Sequence, residues 1–173
     1  MVEMRPSDLP IDIETVKGFL APEEGQALRE HAQASAGLGP VLEIGSYCGK
    51  STVYLGLGAR DGGGQVLAVD HHRGSEENQP GQMFHDPDLA DGHGGIDTLP
   101  LFRKTIRDAG LEDVVIPVAT SAAHFARVWQ QPLGMVFIDG GHTLEAALTD
   151  YRLFAPKVAP GGILANHDVH PDP

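Results

Sequence analysis

Acidic residues recur in this sequence where short apolar runs end. Glu43 lies in Val41–Gly45, Asp70 closes Gln65–Asp70, and Asp139 closes Met135–Asp139. His167 and Asp168 follow Gly162–Asn166, and Thr120 and Ser121 follow Val114–Val118. A chain that needed only a core would have no use for carboxylates at these points. Such a set suits a ligand with hydroxyls and a cationic centre, or a metal ion. The first run leads into Gly45-Ser46-Tyr47-Cys48-Gly49-Lys50-Ser51. Its two glycines let the backbone pass close to a ligand, although an ordinary tight turn would carry them too. The dinucleotide fingerprint GxGxxG is absent, because Tyr47 takes the place of its second glycine. The phosphate-loop pattern GxxxxGK[ST] is missed by one residue, despite Gly49-Lys50-Ser51. Asp70 lies 25 residues beyond Gly45, where a carboxylate can accept both hydroxyls of a ribose. A helix cap or a solvated turn acid is the plainer role for it.

Elements of two kinds must position these residues. The five apolar runs read as strands, and helical stretches fall near 50–59, 98–109, 121–130 and 143–157. Another helix starts at Ala21-Pro22-Glu23-Glu24 and runs to about Ala36, before Gly37. Strands alternating with helices predict an α/β fold, a Rossmann-like, doubly wound and mainly parallel sheet. Ligands of such sheets bind beyond the carboxyl ends of the strands, where the listed polar residues fall. Pro117 weakens the third strand. Residues 1–37 read as an N-terminal segment and helix, in which Ile11, Ile13, Val16, Phe19 and Leu20 can pack. Residues 38–173 read as the ligand-binding domain. Residues 71–97 interrupt it with almost no apolar periodicity and with His71, His72, His85 and His93. A loop of that length is a lid or an insertion.

Composition removes several function classes. A chain of 173 residues has room for one domain, with or without a lid. Its formal charge of -12 repels phosphate backbones, so no nucleic-acid partner is expected. A hydrophobic fraction of 41% fills a core. Cys48 is the one cysteine, which excludes an internal disulfide. No apolar run spans a membrane, and the N-terminus has no apolar signal core, so the expected location is cytoplasmic. There are 22 glycines and 13 prolines, which imply many tight turns, and nine histidines, which supply bases or ligands.

Taken in order, these segments resemble the class I S-adenosylmethionine-dependent methyltransferases. Val41–Thr52 resembles the family's first motif, acid-x-Gly-x-x-x-Gly, and Val66–Asp70 its second. Phe137-Ile138-Asp139-Gly140-Gly141-His142 and Pro160–Val169 resemble later motifs of the O-methyltransferase branch. They look most like the bacterial subgroup whose fourth strand ends in Ile-Asp-Gly-x-His. The match covers about residues 38–169 and implies S-adenosyl-L-methionine as cofactor. It places Glu43, Gly45 and Gly49 beside the methionine part, with Ser46, Tyr47 and Ser51 nearby. Asp70, next to His71, would hold the ribose, and Thr120 and Ser121 would lie near the adenine. The family fold has a sixth strand and an antiparallel seventh beyond those seen here, so a fragment of a longer protein is one expectation.

The same resemblance implies a divalent metal, Mg²⁺ or Mn²⁺, held by Asp139, His167 and Asp168, with Asp139 also bordering the cofactor. His142 falls where related enzymes carry a base. Asp139 as a helix cap, and His167 bonded to backbone with Asp168 alone as ligand, are the structural alternatives. The expected activity is metal-assisted O-methylation of a small-molecule hydroxyl on a sugar, polyol or catechol-like acceptor. Homodimers are common in such enzymes. A non-catalytic S-adenosylmethionine-binding module is the alternative. A nicotinamide-dependent oxidoreductase fits less well, since Tyr47 occupies the glycine turn and no Tyr-x-x-x-Lys pair occurs.

Overall fold

The computed structural model describes residues 8–141 and 143–167. Five parallel strands form one sheet in the order β3-β2-β1-β4-β5. They are β1 (Val41–Ile44), β2 (Val66–Asp70), β3 (Val115–Ala119), β4 (Leu133–Ile138) and β5 (Val158–Asn166). The chain order reverses at β1, the switch point of a doubly wound sheet. α1 (Pro22–Ser35), α2 (Lys50–Asp61) and α3 (Leu99–Asp108) cover one face. α4 (Ala122–Val128) and α5 (Leu144–Phe154) cover the other.

Alternation along β1 divides the two cores. Val41 packs with Val53, Leu55 and Phe102 beneath the first face, whereas Leu42 and Ile44 pack with Phe125 and Phe154 beneath the second. Both central strands are buried throughout, as a sheet covered on two sides requires. Pro117 is tolerated because β3 lies at the sheet edge. β5 begins four residues before the predicted Gly162, at Val158. Its register breaks between the pairs Leu133–Val158 and Met135–Ile163, around Pro160-Gly161-Gly162. This bulge, on the opposite edge, absorbs a proline that a central strand would not accept.

The N-terminal segment divides in its packing. Ile13 is buried, and Leu9, Ile11, Val16 and Leu20 rest against the first core. Phe19 is 80% exposed and is not a core residue; its ring meets that of Phe84 in the insertion. That insertion is irregular, as expected, but anchored. Short 3-10 turns form at Glu76–Asn78 and Pro87–Leu89. Leu89 and Ile96 are buried against Cys48. Its two ends are pinched together, with Thr98 N donating to His72 O at 3.0 Å and His72 Nδ1 lying 2.7 Å from Thr98 Oγ1.

Candidate active site

The strand ends form a continuous ledge because the hydrogen-bond ladder runs one residue past each strand. Thr120 N donates to Asp70 O, Gly45 N to Val69 O, Asp139 N to Ile44 O and His167 N to Ile138 O, at 2.8–3.1 Å. Above the ledge lies a cavity of about 1060 Å³. It is lined by Gly45, Ser46, Tyr47, Ser51, Asp70, His71, Thr120, Asp139 and His167 among the residues singled out from sequence.

Gly45 has φ +87°, and a Cβ there would lie 2.4 Å from the Asp139 carbonyl oxygen. Only glycine lets the β1 and β4 turns touch in this way. Tyr47, at φ +49°, follows in the left-handed region. Its N–H donates to Asp70 Oδ2 at 2.9 Å, while His72 N–H donates to Asp70 Oδ1 at 2.8 Å. Asp70 is thus a turn acid that ties β1 to β2 and also a cavity carboxylate. Each oxygen keeps a lone pair for a ligand. Ser46 Oγ is buried at the cavity with no partner among the described residues.

Three residues expected at the cofactor do not line the cavity. Glu43 does not line the cavity: strand alternation turns it beneath α2, fully buried, where the Ser51 hydroxyl and the Thr52 hydroxyl (2.5 Å) donate to it. Burial pushes its carboxyl up to about 8, and the hydroxyls only partly offset this. Gly49 is also absent from the lining; at φ +95° it begins α2, and a Cβ would press on Phe102 and Thr105 of α3 at 3.3 Å. Ser121 caps α4, accepting from His124 N, and points away from the cavity while Thr120 lines it.

Asp139 is not the cap of α5. That role belongs to Thr143, whose hydroxyl accepts from Ala146 N at 3.2 Å. The Asp139 carboxylate lies 3.2 Å from His167 Nδ1, and His167 Nε2 lies 3.3 Å from Glu24 Oε2. The adjacency of β4 and β5 therefore brings Asp139 and His167 together. Glu24 enters from α1, where it also accepts from Ala21 N at 2.9 Å. That N–H holds the Glu24 carboxyl below its ordinary range, with His167 adding to the effect. His142 and Asp168 lie outside the described residues. Among the described residues no group of three or more His, Cys, Asp or Glu side chains converges as a metal site.

The N-terminal half of the cavity's roof, and its clasp to the insertion expected as a lid, were missed in the sequence. Lys17, Gly18, Phe19 and Leu20 approach from the N-terminal side, and Phe84, His85, Asp86 and Pro87 from the insertion. Lys17 pairs with Asp86 and, at 3.0 Å, with Asp88. Its hydrogen bonds to both carboxylates hold the Lys17 ammonium above the usual lysine range. The Phe19 and Phe84 rings meet edge-on with centroids 6.1 Å apart. No pattern in the sequence links residues so far apart. Likewise, His72 reads as a loop histidine but is buried and structural.

Comparison with known proteins agrees with this geometry. The chain is similar to cofactor-bound Rv0187 from MTB, with 22% identity and TM-score 0.64 over 90% of this chain and 60% of that one. It is similar to the O-methyltransferase from Bacillus cereus in complex with SAH, at 22% identity and TM-score 0.61, over 86% of this chain and 57% of that one. It is also similar to the O-methyltransferase TomG from Streptomyces achromogenes, at 15% identity and TM-score 0.62, over 89% and 63%. The chain thus spans about 60% of the length of the structures it matches. These likenesses establish the Rossmann-like methyltransferase fold. Residues 42–169, from β1 past β5, match the methyltransferase-domain family, and with that stretch holding the glycine turn, Asp70 and Asp139, the chain belongs to that family.

Proposed function

We propose that this protein binds S-adenosylmethionine on the strand-end ledge and transfers its methyl group to a hydroxyl of a small molecule held under the roof. The observation that carries this reading is the pairing of Asp70 with the Ser46–Tyr47 turn at one cavity. A ribose diol finds free lone pairs on Asp70, and the buried Ser46 hydroxyl, otherwise without a partner among the described residues, gains one from the ligand. The cofactor supplies an electrophilic methyl on sulfur. The residues supply position and charge. Asp70 and the glycine turn fix the cofactor, and the roof excludes water. His142, which follows the cavity residues Gly140 and Gly141 in the sequence, is the proposed proton acceptor for the attacking hydroxyl. With an ordinary pKa near 6.5 an imidazole can serve as base at neutral pH.

A divalent cation is a second reading, favoured by the convergence of Asp139 and His167 on neighbouring strand ends. Both ring nitrogens of His167 already face carboxylates, so no step is assigned to a metal. Turnover undiminished by excess chelator would remove the cation from the scheme. A cytoplasmic location and a homodimer belong to the same reading. So does an acceptor that is neutral or cationic, in keeping with the acidic cavity. Among the described residues no helix is long and apolar enough to cross a membrane.

Calorimetric titration tests the cofactor assignment. Saturable binding of S-adenosylmethionine and S-adenosylhomocysteine, with none of NAD⁺, is the expected result. Asp70→Ala should weaken both by about 10- to 100-fold, the loss of charged hydrogen bonds worth roughly 1.5–3 kcal/mol. Binding without methyl transfer to any hydroxyl acceptor would favour the non-catalytic module instead. A well-folded chain that binds neither compound is not acting through this site.

A further inference from the structure

Asp150 is a cavity residue that neither the strand-end pattern nor the family motifs pick out. It sits in the second turn of α5, and it lines the cavity together with Gly140, Gly141 and Ala146. The small residues leave the approach to it narrow but open. A Cβ on Gly140 would stand 3.3 Å from Asp150 Oδ2 and 3.2 Å from Ile44 Cγ2, so any side chain at 140 would crowd the carboxylate.

Three other carboxylates of the cavity have donors, whereas Glu77, on the insertion, has no side-chain partner among the described residues. Asp70 receives two backbone N–H groups, Asp86 receives Lys17, and Asp139 faces His167. Asp150 has no hydrogen-bond or ion-pair partner among the described residues. Its surroundings desolvate it and raise its pKa above the ordinary aspartate value, with no opposing contribution from a neighbour. An anion drawn partly out of water without a partner is destabilising. In a cleft, that combination marks a group kept for a ligand. Aspartate only accepts hydrogen bonds, so the complementary group is a donor, and a cationic one binds best.

Building on the functional reading above, we propose that the Asp150 carboxylate receives a positively charged or N–H-donating nitrogen of the molecule bound in the cavity. Two sources share that chemistry: an amine of the cofactor, and a basic nitrogen on the methyl acceptor. Asp150 is then a specificity-determining residue, which turns a general methyltransferase cavity into one that selects for nitrogen at a fixed point.

The test compares the wild type with Asp150→Asn, which keeps shape and removes charge, and with Asp150→Ser. Both variants should keep the melting temperature or raise it, because the carboxylate has no internal partner to lose. In the first arm, S-adenosylmethionine and S-adenosylhomocysteine are titrated into each protein. A loss of tenfold or more in both variants assigns the nitrogen to the cofactor. In the second arm, protein saturated with S-adenosylhomocysteine is titrated with dopamine and with 3,4-dihydroxybenzoate, which share a ring and differ in charge. A tenfold preference for dopamine in the wild type, absent from the variants, assigns the nitrogen to the acceptor. If the wild type binds the cofactor and neither arm shows any dependence on Asp150, the inference is overturned. That holds also where no amine binds at all. A wild type that binds no cofactor overturns the functional reading instead.

Discussion

The floor and the roof of the cavity are built by different means. The floor is the strand-end ledge, joined by backbone hydrogen bonds across four strand junctions and locked where Gly45 touches the Asp139–Gly140 backbone. The roof is two segments, around Lys17 and around Asp86, joined by an ion-pair cluster and one ring contact. Backbone bonds within a buried sheet resist local opening, whereas exposed side-chain pairs do not. A rigid floor preserves the geometry of the reacting atoms. A weakly held roof can open and close over the cavity.

This contrast breaks first at Gly45. Gly45→Val should cost roughly 3 kcal/mol or more, since a strained left-handed residue and an overpacked turn add together. Urea denaturation measures it, and an unchanged midpoint would mean that the floor is not rigid at that turn. Glu43 comes next. Glu43→Ala strips the Ser51 and Thr52 hydroxyls of their buried acceptor and should cost about 2–5 kcal/mol. Glu43→Gln should instead alter the pH profile. The native carboxyl titrates at about 8 against 4.5 when free. Between those values the unfolded chain has released a proton that the native state keeps. Stability therefore falls as pH rises through that window and levels off above it. The difference between wild type and Glu43→Gln, followed from pH 5 to 9, should show that slope, and a pH-independent difference would contradict a protonated Glu43. The smallest effect belongs to the roof. Lys17→Met should change stability by less than about 1 kcal/mol, yet speed cofactor release several-fold in stopped-flow measurements. Added salt should speed release in the wild type and leave the variant nearly unaffected. Equal release rates would show that the clasp does not gate the cavity.

The same division explains what was legible in the sequence. The strands and the two-faced sheet follow from apolar runs whose ends carry polar residues. Asp70, Asp139 and His167 could be placed because parallel strands align their carboxyl ends. The place of Glu43 beneath α2 was not legible, because a motif does not say which face a strand residue takes. One position along, Ile44 turns toward α5, and Glu43 turns beneath α2. The roof's clasp was illegible because Lys17 and Asp86 meet only in space. Asp150 was hidden for a different reason: within an amphipathic helix an aspartate reads as solvated surface, and only the cavity beside α5 gives it another meaning. The anchoring of the insertion through Leu89 and Ile96 was hidden too, because two isolated apolar residues make no periodic pattern.

The pinch between His72 and Thr98 has its own consequence. Residues 73–97 leave the domain and return to it at one bolted point, and their further holds on it are the burial of Leu89 and Ile96 against Cys48 and the Lys17 ion pairs. Closing a loop costs little more as it lengthens. The segment therefore behaves as an interchangeable cassette. It can be shortened, lengthened or grafted from another protein while β2 and α3 keep their places. A replacement that keeps those holds changes the roof of the cavity while the strand-end floor stays as it is.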